Sequence, residues 1–288
     1  MKVTPSVSST ELRNNQHEWI PCCFDTFLRE LTHIKTHCTS TNSLVLFRGH
    51  RDSRWLLDST FKRHVKENIL GISLLSKVQD EYRHSLEFHR LLGCLLLYKF
   101  GTLTEPSQEL YDLASKHGID PWFEWLKRIQ QYPKDDLGPL QGSFVMDWTQ
   151  SERVATYFAN ELRSHDMDGA VWIADITATG KVLRQGLPVA EILGKYQEAL
   201  HNDRPFGIPL VFYPEKQLAC HRADNQETVY VAQMDLRFDL AEIWSLKEKG
   251  LEEGEQIYLK LILPKNTKEE CDQWLSNCGL SKDFIYPE

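Results

Sequence analysis

The sequence predicts an α+β domain with a mixed, mostly antiparallel sheet and a helical insertion at about residues 66–131. Three observations carry that expectation. Short apolar runs of strand character recur at residues 44–47, 144–146, 170–176, 208–213, 228–234 and 257–263. Helical patterns dominate the block from 66 to 131. No repeat, low-complexity tract or linker divides the chain, and 288 residues can form one large domain.

Residues 1–16 are polar and rich in Ser, Thr and Asn, and read as a loose tail. From about Cys22 to His37, the residues Phe24, Phe27, Leu28, Leu31 and Ile34 fall at the spacing of an amphipathic helix. Residues 1–40 are therefore set apart as a tail and helix, and residues 41–288 as the domain proper. Leu44 to Phe47 is a short buried strand that ends in Arg48-Gly49-His50. A rigid strand end can hold a guanidinium still, and a glycine lets a ligand or a backbone come close. The plain alternative is an ordinary salt bridge at the strand end. Lys62, Arg63 and His64 add a basic spot near Arg48 in sequence.

In the 66–131 block, Pro121 sits in a first helical turn, with Trp122, Phe123, Trp125 and Leu126 behind it. The Pro- and Gly-containing segment from Gln131 to Gly142 is a loop. It leads into the central stretch, Gly142 to Ala159. There Phe144, Val145 and Met146 form a strand, Asp147 to Ser151 a polar corner, and Val154 to Ala159 a helix. Ser151 is a fair helix cap, and Thr149 is its competitor. Such corners often carry ligand sites, because rigid elements hold the loop groups. A bare strand-to-helix corner with Trp148 packed beneath it fits the local pattern equally well.

Further on, Ala170 to Ile176 is a strand and residues 186–200 include a helix with Val189, Ile192, Leu193 and Tyr196 on its apolar side. The 208–213 run is a strand that Pro209 marks as an edge. Thr228 to Met234 is a strand with Gln233 inside it, either a structural hydrogen-bond hub or a ligand contact. Ile257 to Leu263 is the last strand. A helix from about Thr267 to Asn277 follows, with Gly279 as a left-handed cap.

The net charge of −8 argues against nonspecific binding to nucleic acid or anionic membranes. Seven cysteines without a C-x-x-C pattern favour a reducing compartment. The longest apolar run, Leu91 to Tyr98, is too short to span a bilayer, so a cytoplasmic protein without a membrane partner is expected. His33, His37 and Cys38 stand one helical turn apart but lack a third strong ligand, so no metal site is expected. There is no Gly-rich phosphate loop, no H-E-x-x-H and no G-x-S-x-G elbow.

Leu46-Phe47-Arg48-Gly49-His50, with Asp52 to Leu57 and Phe61-Lys62-Arg63, resembles the opening motif of the FRG domain family. Asp147-Trp148-Thr149-Gln150-Ser151, with Val154-Ala155 and Tyr157-Phe158-Ala159, is similar to its second motif. Val231-Ala232-Gln233 resembles the third, and Gly279-Leu280 with Phe284 to Pro287 resembles its ending. The likeness covers about residues 40–288. Before Asp147 this chain has Leu140-Gln141-Gly142-Ser143-Phe144 where the family has a His-bearing segment. A more distant resemblance is to ADP-ribosyltransferases of the Arg–Ser–Glu class, through Arg48-Gly49, the Asp147 to Thr149 corner and Ala155 to Ala159.

These resemblances imply an ADP-ribosyltransferase-like cleft and an enzyme that uses NAD as substrate. The reaction would be ADP-ribose transfer to a macromolecule, protein or nucleic acid, or NAD hydrolysis. FRG domains resemble bacterial toxin or defence modules, which suggests such a setting. By this likeness Arg48, Gly49, Asp147, Trp148 and Thr149 bind the dinucleotide. Arg48, Thr149, and Gln233 or Glu227 carry the catalytic roles. Gln233 stands where the late carboxylate is sought, and neutral Gln cannot stabilise a sugar cation as Glu does. A second class is therefore open: a non-catalytic module that senses a nucleotide or nucleic-acid end. A third is a protein that docks a partner through the region of Trp122 and Trp125.

Overall fold

The computed structural model describes residues 1–101, 107–118, 120–131, 140–179, 182–183, 189–202, 210–212 and 221–287. Among the described residues nine strands join one sheet: β1 (Leu12–Asn14), β2 (Glu18–Pro21), β3 (Val45–His50), β4 (Val145–Thr149), β5 (Gly169–Asp175), β6 (Val182–Leu183), β7 (Leu210–Phe212), β8 (Thr228–Ala232) and β9 (Tyr258–Leu263). Their order across the sheet is β1-β2-β9-β5-β3-β4-β8-β7-β6. The β2–β9 and β6–β7 pairs are parallel and the other pairs antiparallel, so the α+β class and the mixed, mostly antiparallel sheet hold.

The helices in chain order are α1 (Phe24–Ser40), α2 (Thr60–His64), α3 (Asp80–Arg83), α4 (Leu86–Gly101), α5 (Gln108–Lys116) and α6 (Pro121–Gln131). Then come α7 (Glu152–Asn160), α8 (Val189–His201), α9 (His221–Asn225), α10 (Leu240–Glu248), α11 (Lys268–Asn277) and α12 (Lys282–Ile285). Helices α3 to α6 form the helical block expected between the first two long strands. Among the described residues, no helix is long and apolar enough to cross a membrane.

Strand alternation assigns the packing. Phe47 joins α1, α7 and α11 in one core with Val171, Ile173 and the odd-numbered leucines of β9. The apolar positions of α1, Phe24, Phe27, Leu31 and Ile34, are all buried there. Each such burial contributes about 1.5–3 kcal/mol. Val145, Tyr230 and Ala232 pack instead with α2, α4 and α6. On the opposite face Leu46, Met146, Trp148, Trp172 and Val231 meet α10 through Leu240, Ile243 and Trp244.

Two expectations change. The first 16 residues are not a loose tail: β1 pairs with β2, and β2 runs parallel to β9 at Glu18–Lys260 and Trp19–Leu261. Buried Leu12 and Trp19 explain why this polar stretch is held, since alternate positions of so short a segment suffice to anchor it. The 208–213 strand is not an edge either. β7 lies between β8 and β6, and Pro209 itself is outside the described residues. The loop residues 132–139 also lie outside them. The expected cap after α11 is present, with Gly279 at φ 77°.

Candidate functional site

β3 and β4 meet through one residue pair, Phe47 opposite Thr149. Their other pairings run outward, β3 with β5 and β4 with β8. A cleft of about 460 Å³ lies where they part. Consecutive residues of both strands line it, Phe47 to Arg51 and Asp147 to Thr149. Successive strand residues point to opposite faces, so a cleft touched by all of them lies in the gap between the strands. Helix α7 closes one side with Val154 and Phe158, and the end of α6 the other with Gln130 and Gln131.

The central helix begins as its sequence requires. The Ser151 hydroxyl accepts from the Val154 amide at 3.4 Å, and Thr149 Oγ1 accepts from the Ser151 amide at 3.0 Å. The Thr149 hydroxyl also donates to the Gln226 carbonyl oxygen at 2.6 Å. Thr149 thus braces the corner and ties β4 to the entry of β8. Gly49 resolves the choice between ligand and backbone in favour of backbone. A Cβ there would fall 1.9 Å from the Ala155 carbonyl oxygen and 2.5 Å from the Ala159 nitrogen. The glycine therefore lets α7 lie directly on β3.

Arg48 is the central cation of the cleft. Its Nη1 donates to the main-chain oxygen of Asp147, and its Nε donates to His50 Nε2 at 3.2 Å. Burial, with Arg63 nearby, lowers its pKa to about 10. Burial and then the Arg48 and Arg63 charges hold His50 well below the usual imidazole range, so the ring is neutral. Because Nε2 accepts from Arg48, the ring proton sits on Nδ1. Asp147 is raised by burial, against the Gln130 amide that donates to its Oδ2 at 3.0 Å. The Gln131 amide and Arg48 also lower the Asp147 pKa, although the amide falls short of hydrogen-bond geometry.

Four guanidinium groups, Arg48, Arg51, Arg63 and Arg222, line the cleft against two carboxylates, Asp147 and Glu161. Glu161 is held by Tyr286 at 2.7 Å and Tyr157 at 3.3 Å. Trp55 carries Arg51 and Arg63 at 5.1 and 5.9 Å from its ring centre. Arg222 lies 5.2 Å from the Tyr286 ring centre. Among the described residues, Arg63 Nε, Gln130 Oε1 and Asp147 Oδ1 are buried without a protein partner, while His50 Nδ1 faces the Trp55 main chain just outside hydrogen-bond geometry. Each such group costs about 1–3 kcal/mol unless something else satisfies it. Together with the four guanidinium groups, they give the cleft a positive charge and polar edges that can take an anionic ligand.

Of the residues singled out from sequence, Arg48, Gly49, Asp147, Trp148 and Thr149 border this cleft together. Trp148 does so from beneath: it is 1% exposed, and its ring meets Trp244 edge-on at 5.5 Å. Gln233 and Glu227 are not among the lining residues. Gln233 is fully buried. It accepts from the Ser59 amide at 2.7 Å and donates to the Phe238 carbonyl oxygen at 2.9 Å, with Asp58 at 3.4 Å. It is the hub, tying the chain before α2 to the chain after β8. Glu227 is exposed in the turn before β8 at φ 46°, and its main chain receives the Gln150 amide at 3.2 Å. Arg51, Arg222, Gln130 and Glu161 had no sequence signal, since each lies beyond the quoted motifs. Trp55, Phe158 and Tyr286 were inside them, marked for the site only by motif membership, and Arg63 was marked also by the basic spot of Lys62 to His64.

Comparison with protein-family models, curated proteins and solved structures finds no match to this chain.

Proposed function

We propose that the arginine cleft binds NAD and breaks its bond between nicotinamide and ribose, as the FRG-like and ADP-ribosyltransferase-like motifs suggest. The observation that carries this reading is the pair of half-buried cations, Arg48 and Arg63, beside unpartnered polar atoms in one cleft. A pyrophosphate supplies the negative charge and the acceptors that the two guanidinium groups need, and the ribose hydroxyls supply donors for Gln130 Oε1 and Asp147 Oδ1. Trp55, Phe158 and Tyr286 offer ring faces for the flat ends of the dinucleotide.

In the reaction the nicotinamide leaves with the bonding electron pair, and a cationic sugar develops. Water or a macromolecular hydroxyl or amine then adds to the same carbon and releases a proton, or a carboxylate adds without releasing one. With Gln233 outside the cleft, Asp147 takes the role of the carboxylate that stabilises the sugar cation. Incubation with NAD labelled on nicotinamide tests the reading. Release of label that Arg48→Ala abolishes supports it; absence of release and of NAD binding overturns it.

A second reading, a sensing module that binds a nucleotide without turnover, is favoured by the position of Gln233. Calorimetric binding of NAD with no nicotinamide release would select it.

A further inference from the structure

A second cavity lies against α10, with a volume of about 600 Å³, inside the range of small-molecule sites. Five rings wall it: His17, His84, Tyr258, Trp172 and Phe238. His17 lies flat against Tyr258, with ring centres 4.4 Å apart and planes within 8°. Trp172 tilts against Tyr258 at 6.0 Å. Strand register places these groups. Glu18 stands beside Lys260, Lys260 beside Trp172, and Trp172 beside Arg48. One row of side chains thus crosses the sheet and joins this cavity to the arginine cleft.

Charge separates the two sites. Around the second cavity most cations are already matched: Lys260 by Glu18 at 2.6 Å, Lys77 by Glu242 at 3.0 Å, and His17 by Glu248 at 3.2 Å, while Lys249, exposed just past the end of α10, has no ion pair among the described residues. Arg83 is shared between Asp80 and Glu242. An ionic ligand would have to displace one of these partners, whereas a neutral ligand leaves them in place. Trp172 is 7% exposed, and its indole N–H is buried without a partner. A buried donor left unmatched carries a desolvation penalty that a ligand acceptor removes.

We propose that this cavity binds an uncharged planar heterocycle, a nucleobase or nucleoside, stacked against its ring wall. Flat rings suit the stacked His17 and Tyr258, and ring nitrogens supply the acceptor that Trp172 lacks. Asn15 and Ser245 also line the cavity, with the Asn15 side-chain oxygen taken by the His17 and Glu18 amides and the Ser245 hydroxyl by the Tyr258 hydroxyl.

Titration calorimetry of the full chain with adenosine tests this. Saturable one-to-one binding is expected. Ala241→Trp, which fills the cavity from α10, should weaken it by about tenfold or more. His17→Ala should weaken it less, with circular dichroism showing that both variants are folded. Arg48→Ala should leave the adenosine affinity unchanged. Absence of saturable binding, or binding that survives Ala241→Trp and His17→Ala at full strength, overturns the proposal. Loss on Arg48→Ala alone assigns adenosine to the arginine cleft and overturns it equally.

Discussion

Arg48 donates to the main-chain oxygen of Asp147, while the Asp147 carboxyl takes the Gln130 amide. The two side chains therefore do not cancel each other as a closed ion pair would. A close pair would raise the arginine and lower the aspartate; here burial dominates both, in the opposite directions. The gap between β3 and β4 makes this possible. With one bridging pair between the strands, the Asp147 carbonyl is left for the guanidinium instead of a ladder partner. Both charges remain available to a ligand.

Arg48→Lys tests whether the fork matters as well as the charge. A lysine keeps the charge but cannot bond the Asp147 carbonyl and a phosphate in one plane. NAD affinity should fall by about tenfold or more, measured by calorimetry. Thermal stability should hold, because the buried guanidinium is itself costly. Unchanged affinity would remove Arg48 from the binding role.

Asp147→Asn separates binding from turnover. If the carboxylate stabilises the sugar cation, nicotinamide release should fall about a hundredfold or more while NAD affinity changes by only a few-fold. Stability should move the other way. The folded-state pKa of Asp147 lies above its unfolded value of 3.8, so the folded protein holds the proton more tightly. The contribution of Asp147 to stability is then fully present below pH 3.8 and is lost as pH rises through the raised folded value. The asparagine variant lacks that loss and should melt higher above the window, by on the order of 2–4 °C. Melting curves that stay parallel at every pH would contradict this.

Particular residues show how much of this was legible in sequence. β3, β4, α7, β5, β8 and β9 lay close to their expected places, because alternation and helical spacing report burial directly. The Arg48 and Asp147–Thr149 segments were expected past the strand ends, but β3 runs on through His50 and β4 through Thr149, so both segments lie within paired strands. Gln233 could not be assigned, because a buried amide in an apolar run looks the same whether it serves a hub or a ligand. The main chain at Ser59 and Phe238 decides it, and those partners lie 174 and 5 residues away. Arg222 and Glu161 were invisible for a similar reason: only the tertiary fold carries α9 and the end of α7 to β3. The N-terminal strands were missed because short polar segments gain strand character from their neighbours.

Gln233→Ala should therefore act on stability. It strips the Ser59 amide and the Phe238 carbonyl of their buried partner, and should cost about 2–4 kcal/mol in denaturant unfolding. NAD affinity of the folded fraction should stay within a few-fold of the parent, measured well below the melting temperature. A Gln233→Ala protein of normal stability that no longer binds NAD would return Gln233 to the cleft.

Gly49→Ala is the sharpest test of how the site is held. A methyl group at this position meets the Ala155 carbonyl oxygen at 1.9 Å, the Ala159 nitrogen at 2.5 Å and Phe158 Cβ at 2.9 Å. Two of those atoms are helix backbone, so no rotamer change can relieve the overlap, and α7 must move off β3 as a unit. That motion would carry Val154 and Phe158 away from the cleft and loosen the Ser151 corner that Thr149 braces. The expected loss is about 3 kcal/mol or more in denaturant unfolding, the range of severe overpacking. Because the helix and the cleft share this contact, NAD affinity should fall with stability, in contrast to Gln233→Ala. The contrast is the measurement that matters. A Gly49→Ala protein that is destabilised but binds NAD at parental affinity would mean that α7 does not shape the site.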